Sequence, residues 1–65
     1  MREYNVNDAV VAVRHIGNVS EESTGTVLVI LNEGEAYEVE FFDSEGESCG
    51  NTTVHPKDIK PMDLP

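Results

Sequence analysis

With 65 residues, thirteen acidic side chains, four basic ones and a net charge of −9, the chain is expected to form one domain, residues 1–65, around a small core. Such a field repels phosphate backbones and anionic lipid, which argues against nucleic-acid and membrane partners. A lone cysteine excludes an intrachain disulfide, no run approaches about 18 apolar residues, and residues 1–10 lack a signal-peptide core, so a reducing cytoplasm is the expected compartment.

Residues 1–7 are polar, with Tyr4 and Val6 as candidate caps at the rim of the core. Asn7-Asp8 reads as a turn into a first strand over residues 9–14. Alternation sets Ala9, Val11 and Val13 on one face there, and Val10 and Ala12 on the other. Residues 15–23 have loop composition and are long for a plain hairpin, with Ile16 and Val19 as expected anchors.

Residues 24–42 carry most of the large apolar side chains and organise the chain. TVLVIL at 26–31 is β-branched and too short for a helix, which would need about 10–12 residues and a stripe at 3.6 spacing. Residues 37–41 alternate strictly: Tyr37, Val39 and Phe41 on one face, Glu38 and Glu40 on the other. Asn32-Glu33-Gly34-Glu35 supplies the turn, with a Gly and an Asn that accept positive φ. The expected hairpin pairs residues 26–31 with 36–41 and points Val27, Val29, Tyr37, Val39 and Phe41 inward, although Leu28 and Ile30 are apolar too, which leaves the parity of residues 26–31 open. Slipping it by one residue would bury Glu38 and Glu40, so the register is well specified.

Residues 43–48 form a turn from side chains that bond their own backbone. A short strand is expected over 49–54, and Pro56 opens a single helical turn at 55–58. One last strand follows over 59–62, before Asp63-Leu64-Pro65 frays. Four or five short antiparallel strands with one helical turn before the last predict an all-β fold, a small SH3-like barrel.

Several segments carry a family resemblance: Asn7 to Val13, Thr24 to Val27, and Gly34 to Phe41 followed by Asp43 to Glu47. Together they resemble a family of short bacterial domains of unknown function with a D-x-V-A-L, G-x-x-G-T-V and A-Y-E-V-E-F-x-D-x-x-G pattern. Residues 37–46 match it closely, while Asn18 to Ser23 departs from it in being polar and acidic. The resemblance implies an SH3-like barrel and no catalytic residue. Gly25-Thr26-Val27 and Val39-Glu40-Phe41 also resemble, more distantly, the KOW-type barrels of transcription and translation factors, which are basic where this chain is acidic.

No residue pattern points to catalysis. Glu38 and Glu40 are neighbours on one strand face, but nothing around them suggests the dry cleft that acid–base work needs. His15, His55, Cys49 and Asp58 lack zinc-ligand spacing, so neither a metal nor a cofactor is expected. Residues 43–47 lack the twelve-residue frame of a calcium loop. Cys49 has no Lys, Arg or His beside it to activate its thiol. Arg2, Arg14, Lys57 and Lys60 are scattered, although Lys57 and Lys60 share one edge.

Charge remains the loudest signal. Glu33, Glu35, Glu38, Glu40, Asp43, Glu45 and Glu47 fall within fifteen residues that contain no Lys or Arg. The plain reading is a solubilising surface. The functional reading is a face that docks a basic protein, making the chain a non-enzymatic inhibitor or immunity-type partner of, for example, a nuclease. The alternative is an accessory SH3-like module, self-pairing through strand edges or KOW-like in role. Oligomeric state is left open by the sequence.

Overall fold

The computed structural model describes residues 3–62. Five antiparallel strands form one sheet: β1 (Ala9–Ala12), β2 (Thr24–Leu31), β3 (Ala36–Phe42), β4 (Ser48–Val54) and β5 (Ile59–Pro61). Their order across the sheet is β4-β3-β2-β1-β5, so β4 and β5 are its edges. The helical content among the described residues is two short 3-10 turns, Asn32–Gly34 and Pro56–Asp58. This all-β arrangement, with a single turn before the last strand, is consistent with the SH3-like layout.

The central hairpin forms as expected. Val27 pairs with Val39 and Gly25 with Phe41, while Tyr37 lies opposite both Ile30 on β2 and Val54 on β4. Tyr37, Val39 and Phe41 are buried, as are Val27 and Val54. The reversal is a tight one: Asn32, Glu33 and Gly34 all take positive φ, at 47°, 57° and 102°.

Val29 departs from the expected inward set and is 46% exposed. The register shifts between Val27 and Val29, where Leu28 is accommodated as a bulge. That extra residue inverts the alternation for the rest of β2. Val29 therefore pairs with Glu38 and shares its outer face, and Ile30 beyond it is exposed as well.

β1 is shorter than the expected 9–14 and ends at Ala12. Val13 N–H already donates to the Asp58 carbonyl, and Ala12 bonds to Ser23 and Glu22, turning the chain away. Val10 and Ala12 are the core-facing pair of β1, whereas Ala9 is exposed. The loop after β1 is tied as expected by an Ile16–Val19 bridge. Val19 is fully buried, and Ile16 packs against the core from its margin.

Tyr4 lies deeper than a rim position. It is 4% exposed and packs edge-on against Tyr37, with ring centroids 5.4 Å apart. Its N–H donates to the Tyr37 hydroxyl (3.2 Å) and its hydroxyl to the Ile59 carbonyl (3.3 Å), which gives both buried phenols a polar partner. Val6, the other expected cap, is half exposed. β4 begins one residue before the expected 49, and β5 stops at Pro61, one short of 62. Asp63-Leu64-Pro65 and Arg2 lie outside the described residues.

Candidate functional site

Because Tyr37, Val39 and Phe41 occupy the inner face of β3, Glu38 and Glu40 stand on its outer face. Both are half-buried rather than fully exposed. Each is drawn toward β4: Thr53 Oγ1 donates to Glu38 Oε2 (2.9 Å) and Ser48 Oγ to Glu40 Oε2 (2.8 Å). Pairing places Val29, Glu38 and Thr53 in one row across the sheet, and Thr26, Glu40 and Asn51 in the next.

The other five acids flank this strand. Glu33 and Glu35 are exposed at the 3-10 turn before β3, and Asp43, Glu45 and Glu47 at the turn after it. Seven strand residues separate the two ends by roughly 20 Å, so the seven acids form a band along the sheet and not a pocket. Asp43 differs from the rest, since its Oδ1 accepts the N–H groups of Glu45 and Glu47, both at 2.9 Å. Its carboxylate shapes the turn.

None of these seven acids has a cationic partner among the described residues. The ion pair found there joins Arg14 Nε to Asp58 Oδ1 at 3.3 Å. Asp58 is the buried charge among the described residues, 9% exposed, and its Oδ2 also accepts the His55 N–H at the start of the second 3-10 turn. Sequence reasoning did not single out this pair. Pro56 at the first helical position with an acid two residues later is the signal that could have found the cap. Arg14 was not locatable that way, because its approach to Asp58 depends on β1 lying beside β5.

The remaining polar candidates do not converge. Lys57 and Lys60 are exposed along the β5 edge, and Cys49 is a free, half-buried thiol packed against the core. His55 Nδ1 sits 3.2 Å from the Glu35 carbonyl oxygen. No three His, Cys, Asp or Glu side chains group as metal ligands among the described residues. No helix among them is long and apolar enough to cross a membrane.

Fold and face together define a small all-β domain with a band of acids that no cation among the described residues pairs with. The chain belongs to the family described as a domain of unknown function (DUF4926), whose model matches residues 7–61. It matches no curated protein and no solved structure. The family match spans every segment whose pattern resembled short domains of unknown function, from Asn7 to Glu47.

Proposed function

We propose that this domain is a non-catalytic, acidic protein-binding module of the bacterial cytoplasm. On this reading it is an inhibitor or immunity-type partner of a basic protein such as a nuclease. The observation that carries the proposal is a band without ion-pair partners among the described residues: Glu33, Glu35, Glu38, Glu40, Asp43, Glu45 and Glu47 face outward, and the ion pair found among those residues lies elsewhere. A rigid strand presents Glu38 and Glu40 at fixed spacing, with acids at both of its ends. Such a surface speeds encounter with a cationic partner and excludes anionic ones.

Affinity capture from the native host, followed by surface plasmon resonance at two salt concentrations, tests this. The captured partner should be basic and its association rate should fall with salt. Glu38→Lys with Glu40→Lys should abolish binding while the circular dichroism spectrum stays folded. An acidic partner, or binding indifferent to salt, would refute the reading. A second reading, an accessory module that pairs with itself, draws on the exposed Val29 and Ile30. The two have opposite salt signatures: added salt screens repulsion between two −9 chains and tightens self-pairing, but loosens cation docking.

A further inference from the structure

The two edges of the sheet are built differently. β5 carries Lys60 and ends on Pro61, both of which discourage a further strand from pairing. β4 is seven residues long and has neither a charge nor a proline, only Ser48, Cys49, Gly50, Asn51, Thr52, Thr53 and Val54. Its pairing with β3 is regular over residues 50–54 and shifts only at the Ser48 end. Alternate residues of that stretch turn their N–H and C=O groups away from β3, and no strand lies beyond them among the described residues.

From this we infer that the outer edge of β4 receives an extended cationic segment of the partner as a sixth strand, with basic side chains at alternate positions. The inference rests on the acidic-docking reading and names how the partner is held. The outer face of β4 presents Asn51 and Thr53, both small and uncharged, with Glu40 and Glu38 directly behind them. The hydrogen bonds from Ser48 and Thr53 hold those two carboxylates toward β4. A sixth strand would run about 10 Å from β3, two inter-strand spacings. Lys or Arg side chains at positions i and i+2 on its outer face can cross the short Asn51 and Thr53 side chains to reach Glu40 and Glu38. Main-chain pairing then supplies attachment and the two acids choose the register. A second copy of the chain is a poor occupant, since edge-to-edge pairing would bring the Glu38–Glu40 rows of two −9 chains onto one sheet.

The test titrates ¹⁵N-labelled protein with synthetic peptides, followed by amide shifts and intermolecular NOEs. The probes are a peptide with Lys at every second position, its neutral Thr counterpart, and two Lys peptides N-methylated on one or the other alternating set of amides. The Lys peptide should bind with its largest shifts at residues 50–54. One methylated form should bind at least about tenfold more weakly, while the other stays near the parent, because only one set of amides faces the edge. The neutral peptide should also be at least about tenfold weaker. Equal binding by both methylated forms, with shifts around Glu38 and Glu40, overturns the edge assignment and leaves acidic docking standing. Equal binding by the neutral peptide overturns the cationic occupant while the edge stands. Shifts centred on Val29 and Ile30, or no binding by any probe, overturn the inference outright.

Discussion

Placing a methyl group at Gly25 probes how tightly β2 and β3 close over the core. Gly25 lies opposite Phe41, and a Cβ there would stand 2.7 Å from Val39 Cγ1, 2.8 Å from Phe41 Cδ1 and 2.9 Å from the Glu40 carbonyl oxygen. Two of the three are buried side chains and the third is backbone, so none can swing aside freely. Gly25→Ala should cost about 1–3 kcal/mol by overpacking. Val39→Ala, which deletes two methyl groups from a fully buried side chain, should cost about 1–3 kcal/mol through lost burial and a residual cavity. Against a total stability of about 3–10 kcal/mol for a chain of this length, either change is large. Combined, they should be less than additive by about 0.5–2 kcal/mol, because removing Val39 Cγ1 vacates the space the new methyl group needs. The clash with the Glu40 carbonyl persists and keeps the coupling incomplete. Urea melts of the four proteins, compared at similar slope, give the cycle. Strict additivity, or a neutral Gly25→Ala, would refute the packing described for this hairpin.

Asp58→Ala removes the acceptor of the His55 N–H and the partner of Arg14, and should cost about 1–2 kcal/mol in the same melts. Arg14→Ala should cost under about 1 kcal/mol, since that side chain is 53% exposed; the reverse ranking would show that the ion pair dominates the cap. Glu33 sits at φ 57°, ψ 32°, in the left-handed region, so Glu33→Asn should raise stability by about 0.5–1 kcal/mol, and a lower midpoint would mean that the Glu side chain has a stabilising partner. Glu38→Gln keeps an oxygen for Thr53 to donate to and relieves repulsion along the acidic band, so it should be neutral or stabilising; a loss above about 1 kcal/mol would show that the carboxylate charge itself holds the sheet together.

Alternation and turn chemistry determined much of this protein in advance. Tyr37, Val39 and Phe41 against Glu38 and Glu40 set the inner and outer faces of β3, because a strand can turn only every second residue toward a core. Asn32 and Gly34 located the reversal, and Pro56 the single helical turn, because each backbone conformation admits few residue types. The acidic band was equally legible, since a run of like charge with no counter-ion in sequence must stay near water. Tertiary pairing decided the rest. In a run as uniformly apolar as TVLVIL, no side chain marks which residue is the extra one, so the Leu28 bulge and the outward turn of Val29 appear only once β2 is docked on β3. Which face of β1 is buried was likewise open: both are apolar, and the choice of Val10 and Ala12 depends on the core that Tyr4, Val19 and Ile59 complete. The Arg14–Asp58 pair joins residues 44 positions apart, brought together by the β1–β5 pairing, and local spacing carries no record of a contact that chain topology alone creates.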